Sequence, residues 1–194
     1  MKSASDASLR LVLIGGSSGS FTIFEDILKM LTGPLSFSMI FVLHRGKKSS
    51  ASLPDLFKSK TQVPMKEPYH LEPIETNHIY FAFPDYHLLI GPDRHFYYDC
   101  SGKDFFSRPS IDATFISAAV SGIPVKAAML FSGSSADGAS GMKLLEEKGF
   151  PTYVQDPAFA ESRRMPDEAL AICDRHQVLR KKNYLKEIND ILFY

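Results

Sequence analysis

The sequence predicts an α/β fold, a doubly wound and mainly parallel sheet with helices on both faces and one antiparallel β-hairpin. Apolar strand-like runs alternate with amphipathic helix-like segments, and no long linker or repeat separates them. The apolar runs lack a polar face, which is typical of strands buried on both sides. Two of these runs end in glycine-rich turns, and parallel sheets carry their functional groups at such strand ends.

The first strand–helix unit contains the most informative turn of the chain. Leu11–Ile14 reads as a buried strand that enters the turn Gly15–Gly19, and the glycines permit a sharp exit. Apolar residues then recur at helical spacing from Phe21 to Leu31, where Gly33 follows as a helix terminator. This arrangement places Ser17 at the carboxyl edge of the predicted sheet.

The next part of the chain is richer in β-structure. Met39–Leu43 predicts a second buried strand, which carries His44 at its end. Between residues 53 and 98 the apolar runs are shorter and are broken by prolines. We expect at least one antiparallel hairpin there, centred on Gly91–Asp93.

The second half of the chain repeats the alternation of strands and helices. The predicted elements are a helix at 110–120, a buried strand at 126–131, a helix through Met142 and Leu145, a strand at 150–155, and helices at 166–173 and 184–193. The strand at 126–131 ends in a second glycine-rich turn, Ser132–Gly138, which contains Asp137.

Composition narrows the classes of function. The 194 residues suit one domain with a substantial core, since 44% are hydrophobic. The 22 basic and 22 acidic residues cancel, so nothing in the overall charge favours a nucleic-acid partner or an anionic membrane. No run is long enough for a signal-peptide core or a membrane span, so we expect a cytoplasmic protein without membrane insertion. Residues 1–8 are polar, and we expect them to be disordered.

Three polar side chains at strand ends suggest nucleophilic catalysis. Ser17, His44 and Asp137 follow three predicted parallel strands, whose ends lie along one edge. A serine hydroxyl needs a base to accept its proton, and an imidazole can take and return that proton near neutral pH. A carboxylate behind the imidazole fixes its tautomer and stabilises the imidazolium.

Backbone N–H groups in the two glycine-rich turns, at Ser18 and Ser134, are candidates for stabilising the oxyanion, an effect on the order of 10²–10³ in rate per donor. Other interpretations of the same residues remain open. The turn Gly15–Gly19 also resembles a phosphate-binding turn, and Asp137 before Gly138 is a common helix N-cap. Only the conjunction of the residues favours catalysis.

The order of several short motifs resembles the catalytic domain of the chemotaxis protein-glutamate methylesterases. The matching segments run from about residue 9 to about residue 175: Ile14–Gly19, Leu43–His44, Ile79–Ala82, Asp85–His87, Arg108–Asp112, Gly133–Ala139, Gly141–Met142, Met165–Pro166 and Glu168–Ala169. No single segment is specific, but the ordered set is.

The resemblance implies hydrolysis of methyl esters on glutamate side chains of chemoreceptor cytoplasmic helices, with deamidation of receptor glutamines as a related activity. By the same resemblance, Ser17 is the nucleophile, His44 the general base and acid, and Asp137 the orienting carboxylate. It implies no cofactor and no metal. Residues 9–194 would form a single methylesterase-like catalytic domain, and the family's phosphorylation-receiver domain is not found in this sequence.

Three further residues are weaker candidates for substrate contacts. Arg108 would either line the cleft and meet substrate carboxylates or form a structural salt bridge. His87 is a second candidate base, ranked below His44. Met165 would border the site, although a core methionine at a helix start explains it as well.

The sequence departs from the family pattern in both turns. The family usually has glycine where this chain has Ser20 and Ser135. Serine disfavours some backbone angles that glycine adopts, so these replacements could alter the turns and the position of the oxyanion donors. Arg45-Gly46 stands where the family tends to carry an apolar residue and proline, and Arg163-Arg164 stands where smaller or apolar residues are common.

Two functions from other classes remain as alternatives. One is a catalytically weakened module that docks on receptors or on a signalling partner without turnover. The other is a nucleotide-binding module that uses the turn Gly15–Gly19. Its sequence support is limited, because the chain has neither the G-x-G-x-x-G pattern nor a P-loop lysine.

Overall fold

Seven parallel strands form one sheet in the computed structural model, which describes residues 9–44, 52–102, 104 and 107–194. The strands of the described residues are β1 (Leu11–Gly16), β2 (Ser38–Leu43), β3 (Met65–Lys66), β4 (Ile79–Phe81), β5 (His87–Ile90), β6 (Phe96–Asp99), β7 (Val125–Leu130), β8 (Thr152–Gln155) and β9 (Gln177–Leu179). The order in the sheet is β3-β4-β2-β1-β7-β8-β9, and β5 and β6 form a separate antiparallel hairpin.

Helices cover both faces of the sheet. They are α1 (Phe21–Met30), α2 (Leu53–Phe57), α3 (Ile111–Val120), α4 (Ala139–Glu147), α5 (Arg164–Ile172) and α6 (Tyr184–Phe193), with a 3₁₀ turn at Pro157–Phe159. Alternate residues of each central strand enter opposite cores, as the two-residue period of a strand requires. Leu11 and Leu13 pack with α3, α4, α5 and the hairpin, whereas Val12 and Ile14 pack with α1, α2 and α6.

The central strands confirm the fold class predicted from the sequence. β1, β2 and β7 have buried side chains throughout or nearly so, as the continuous apolar runs indicated. The predicted hairpin is present, with Ile90 opposite Phe96. One of the short β-like runs expected between residues 53 and 98, at residues 62–66, contains only two paired residues, and it is parallel to β4.

Two short elements were not predicted. Strand β9 has three residues, of which only Leu179 is buried, so it carries little periodic signal. Helix α2 has five residues, too few to display a helical repeat. The expected disorder at 1–8 and the substitution Arg45-Gly46 lie outside the described residues. None of the helices in the described ranges is both long and apolar enough to cross a membrane.

Candidate active site

The candidate site lies where the order of the strands in the sheet reverses. From β1 the chain crosses to β2 on one side, and β7 pairs with β1 on the other side. Ligand sites of open α/β sheets form at such a switch point, beyond the carboxyl ends of the strands. Ser17 directly follows β1, His44 directly follows β2, and Asp137 lies in the turn after β7.

His44 and Asp137 form a short hydrogen bond although 93 residues separate them. His44 Nε2 is 2.6 Å from Asp137 Oδ2. The imidazole is about one-tenth exposed and the carboxylate is fully buried. In the neutral tautomer whose Nε2–H group donates a hydrogen bond to the carboxylate, Nδ1 carries no proton and is available as a base.

Asp137 is held as an anion by the first turn of α3. Its Oδ1 accepts hydrogen bonds from Ser110 Oγ (3.0 Å) and from the Asp112 N–H (2.9 Å), while Oδ2 accepts one from the Ile111 N–H (2.7 Å). Burial raises the pKa of Asp137, but the hydrogen bonds from His44 and the backbone outweigh burial and hold this pKa below its ordinary value. A helix N-terminus also favours a negative charge.

Ser110 belongs to this site, although no pattern in the sequence singled it out. Ser110 is the N-cap of α3, since its Oγ also accepts a hydrogen bond from the Ala113 N–H. A serine before a helical pattern signals a cap, but nothing local indicates that the cap faces a strand end far along the chain. The prediction that Asp137 is the N-cap of the following helix is wrong. Gly138 is the N-cap of α4, and the Asp137 carboxylate accepts hydrogen bonds from the first turn of α3.

Ser17 lies beside His44 on the neighbouring strand. Gly16 is paired with Leu43, and the His44 N–H donates to the Gly16 carbonyl (3.2 Å). Ser17 and His44, the next residues of the two strands, therefore lie at adjacent strand ends on the same edge of the sheet. Ser17 is partly exposed, as a nucleophile must be to meet a substrate.

The backbone hydrogen bonds separate the oxyanion candidates into two groups. The Ser17 N–H already donates to the Ser132 carbonyl (2.8 Å), and the Gly133 N–H donates to the Ser162 carbonyl (2.9 Å). Within the described residues, the N–H groups of Ser18 and Ser134 have no protein acceptor. Both residues are exposed, and their N–H groups remain candidates for binding an oxyanion.

Ser132 connects three loops of the site. Its buried Oγ donates to the Ser18 carbonyl (2.6 Å) and accepts from the Ser162 N–H (2.8 Å). Gly19 approaches the same hydroxyl with φ of +80°, and a Cβ there would lie 2.8 Å from Ser132 Oγ and 2.4 Å from Glu161 Cβ. Glycine is therefore required at this position both for its backbone angle and for space.

The serines that replace family glycines fit without backbone strain. Ser20 has φ of −92°, and its Oγ donates to the Ser17 carbonyl at 2.7 Å, which braces the turn. Ser135 is absent from the described non-glycine residues with positive φ. Its Oγ accepts a long hydrogen bond of 3.4 Å from the Asp137 N–H. Neither serine forces the turns into an unfavourable conformation.

Arg108 and His87 are engaged within the protein. Arg108 donates to the carbonyls of Cys100 and Ser101 and forms an ion pair of 3.0 Å with Asp85, which is the structural role considered for it. His87 is buried on β5, as the hairpin prediction placed it; Nε2 donates to the Gly102 carbonyl (2.9 Å) and Nδ1 accepts from the Ser110 N–H (3.1 Å). With both ring nitrogens engaged in hydrogen bonds, His87 supports the N-terminus of α3 and has no ring nitrogen free to accept a proton.

Met165 supports the turn after β7 from inside the protein. It is fully buried, and a Cβ on Gly133 would lie 2.5 Å from Met165 Cε. The Met165 N–H also donates to the Gly133 carbonyl (2.9 Å). This burial favours the packing role over the substrate contact considered for Met165.

Asp112 provides a test of the electrostatics around the site. It is 7% exposed, and burial together with the charge of Asp137 raises the pKa of Asp112 to about 6, although the Gly141 N–H donates to it. The ordinary pKa of this carboxyl is 3.8, so the unfolded chain loses the proton at lower pH than the folded protein. The contribution of Asp112 to stability therefore falls as pH rises between about pH 4 and about pH 6.

We expect Asp112→Asn to gain stability relative to the wild type over that pH range, by on the order of 2 kcal/mol. The asparagine carbonyl can still accept the Gly141 N–H, and the amide carries no charge to be buried beside Asp137. Urea unfolding at several pH values checks this expectation. Asp190→Asn, which removes an exposed carboxylate, is the matched control. A stability difference that does not change with pH would contradict the raised pKa.

Comparisons of the sequence with known proteins find one family. A family model described as CheB methylesterase matches residues 12–188. A protein-glutamate methylesterase/protein-glutamine glutaminase of Leptospira interrogans is 32% identical over 159 residues, which are 82% of each chain. One of Pseudomonas aeruginosa is 30% identical over 176 residues, which are 91% of this chain and 52% of that relative.

A solved structure agrees with the described fold. The CheB methylesterase catalytic domain of Thermotoga maritima superposes with a TM-score of 0.84, covering 95% of this chain and 99% of that one. Its sequence is 22% identical, so this comparison supports the fold alone. The chain spans about half the length of the Pseudomonas relative and matches the Thermotoga catalytic domain over nearly its full length.

Proposed function

We propose that this chain hydrolyses methyl esters on glutamate side chains of other proteins, because it belongs to the CheB methylesterase family. The observation that carries the proposal is the hydrogen bond of 2.6 Å between His44 and Asp137, beside Ser17 on the adjacent strand end. A serine that follows the strand beside an imidazole paired with a buried carboxylate supplies the three groups of the relay needed for acyl transfer.

In the first half of the reaction, Ser17 Oγ attacks the ester carbonyl carbon while His44 Nδ1 accepts the hydroxyl proton. The carbonyl oxygen becomes an oxyanion, for which the N–H groups of Ser18 and Ser134 are the proposed donors. When the tetrahedral intermediate collapses, the bond to the methoxy oxygen breaks. His44 returns the proton to that oxygen, so methanol leaves and an acyl-Ser17 ester remains.

In the second half, water attacks the acyl-Ser17 carbonyl. His44 Nδ1 accepts a proton from this water, and the proton passes to Ser17 Oγ as the acyl bond breaks. The products are the free enzyme and the glutamate carboxylic acid, which releases its proton to solvent and becomes the carboxylate. The anionic Asp137 stabilises the imidazolium in both halves without taking the proton, because its hydrogen bonds hold its pKa low.

We further propose chemoreceptor cytoplasmic helices as the substrate proteins, as the sequence resemblance implies. Deamidation of glutamine follows the same steps with ammonia as the leaving group, and the names of the Leptospira and Pseudomonas relatives include this glutaminase activity. The nucleotide-binding alternative is less favoured. Two N–H groups of the glycine-rich turns, at Ser17 and Gly133, already donate within the protein and cannot receive a phosphate.

The experiment that tests the proposal measures methanol release from a synthetic receptor-helix peptide with one γ-methyl glutamate. We expect one methanol per peptide and a matching mass change from ester to acid. A matched peptide with an unmodified glutamate gives the background. Absence of methanol release, together with binding of ATP in calorimetry, would favour the nucleotide-binding alternative. Absence of methanol release with tight peptide binding would favour the docking module.

A further inference from the structure

A pocket lined by aromatic side chains lies outside the residues used in the mechanism. We call it the aromatic pocket; its lining is Glu67, Pro68, Tyr69, His70, Phe83, Tyr86 and Tyr98, and its volume is about 450 Å³. Three of these aromatic residues are unusually exposed for their type: Tyr69 is 77%, Phe83 42% and Tyr86 41% accessible. Large apolar side chains left open to solvent in one place indicate a binding surface.

The rings are arranged at angles to one another. Tyr86 and Tyr98 have centroids 5.4 Å apart with planes at 51°, and Phe83 meets Tyr86 at 6.2 Å and 47°. Phe83 and Tyr98 are 6.5 Å apart in an edge-to-face arrangement. These rings line one pocket and are not coplanar, so their faces point in different directions, and a cation that enters the pocket is attracted by the negative face of an aromatic ring.

The charges around the pocket are also negative. Glu67 is part of the lining. Burial raises the pKa of Tyr98, and the negative charges of Glu67 and Glu72 raise it further, so both carboxylates act on the interior of the pocket. Among the residues that the structure describes, Lys66 lies nearby, where it is paired with Glu72 and lies over the ring of Tyr80.

Two hydrogen bonds hold one wall of the pocket in place. Tyr98 OH donates to the Pro68 carbonyl (2.6 Å), and the Tyr98 N–H donates to His70 Nδ1 (3.0 Å). These two contacts tie the segment 68–70 to strand β6. A preformed pocket loses little conformational entropy when it binds a ligand.

The aromatic pocket adjoins the catalytic edge of the sheet. Phe83 follows β4, and β4 is the neighbour of β2, the strand that ends at His44. The Ala82 N–H donates to the Phe41 carbonyl (2.9 Å), so the strand ends that carry Phe83 and His44 run side by side. A polypeptide bound across this edge would reach both the catalytic site and the pocket.

We propose that the aromatic pocket binds a lysine or arginine side chain of the substrate protein, near the glutamate that carries the methyl ester. This inference rests on the proposed function and adds a specificity determinant to it. The methyl ester removes the charge of the reacting glutamate, so the catalytic site itself offers little charge recognition. A basic side chain in the pocket would supply that recognition through the aromatic faces and the carboxylate of Glu67.

The test uses Ser17→Ala, which binds the ester without cleaving it. The probes are helical peptides with one γ-methyl glutamate and one lysine, placed one or two helical turns before or after the ester. Each has a partner peptide with norleucine in place of lysine, which keeps the apolar stem and removes the charge. We expect calorimetry to show about fivefold tighter binding of the lysine peptide in at least one register.

Four variants, each with one further substitution in the Ser17→Ala background, locate the effect. Glu67→Gln and Tyr86→Leu should reduce the lysine-to-norleucine affinity ratio towards one, and Tyr86→Phe should retain it because the ring remains. Glu75→Gln makes the same change of charge on an exposed residue outside the pocket lining, and should keep the ratio of the parent.

The outcomes separate this proposal from the proposed function. Equal affinity for lysine and norleucine peptides in every register would overturn the cation pocket, and so would a lysine preference that survives both Glu67→Gln and Tyr86→Leu. Tighter binding of the norleucine peptides would identify an apolar side chain as the occupant and would also overturn it. Methanol release by the wild-type chain is measured separately, so its failure would count against the proposed activity while the affinity ratio still decides the pocket.

Discussion

Ser17→Ala is expected to abolish hydrolysis of the γ-methyl glutamate peptide, with a loss in kcat on the order of 10⁶-fold, in practice to the background of the assay. The substitution removes the only atom proposed to form the acyl intermediate. Its backbone contacts remain, since the Ser17 N–H bond to Ser132 and the Ser20 bond to the Ser17 carbonyl do not use the side chain. Methanol release and thermal unfolding, measured on the same preparation, check both expectations.

Ser18→Ala is the matched control for this loss. Ser18 is the exposed neighbour of Ser17, and the alanine keeps the backbone N–H that we propose as an oxyanion donor. This variant should retain most of the wild-type activity. Equal activity of Ser17→Ala and the wild type would remove Ser17 from the mechanism. Loss of activity accompanied by a lower unfolding temperature would instead point to a structural role.

Asp137→Asn should lower kcat on the order of 10⁴-fold, because an amide cannot accept all the hydrogen bonds that this carboxylate accepts and carries no charge to stabilise the imidazolium. Oxygen Oδ1 accepts from Ser110 and Asp112, and Oδ2 accepts from His44 and Ile111. An asparagine has one acceptor oxygen, so its NH₂ group must face donors at one of the two positions. The His44 tautomer or the first turn of α3 then loses its partner.

The same conflict should destabilise the fold by about 1–3 kcal/mol, since buried donors are left without an acceptor. Methanol release gives the kinetic effect, and urea unfolding gives the stability effect. Ser110→Ala is the comparison variant, because it removes one donor and keeps the carboxylate, and it should cost much less activity. Retention of full kcat by Asp137→Asn would exclude the carboxylate from the relay.

The placement of the candidate residues at one edge of the sheet could be predicted, because two of them directly follow apolar runs and the third lies in the turn after another such run. Ser17 and His44 each stand immediately after a buried strand, and strand ends of a parallel sheet share an edge. Asp137 lies seven residues beyond β7, within a glycine-rich turn that also drew attention in the sequence. In these cases a local pattern and a general rule of sheet topology were sufficient.

The support around Asp137 could not be predicted in the same way. The N–H groups of Ile111 and Asp112 reach the carboxylate because α3 docks with its first turn on the site, and no local pattern encodes that docking. Long-range backbone contacts likewise decide which of the candidate oxyanion N–H groups already donate to an acceptor within the protein. The Gly133 N–H is occupied by the carbonyl of Ser162, a residue from a different loop.

The buried hydroxyl of Ser132 has a consequence for how this site can change. It joins the loop that follows β1 to the loop before α5, and its own backbone begins the turn after β7. Substitutions in any one of these loops should therefore shift the other two, and their effects should not add independently. New ester specificities are better sought by varying surface side chains such as those of Ser134 and Arg164, which leave this shared anchor untouched.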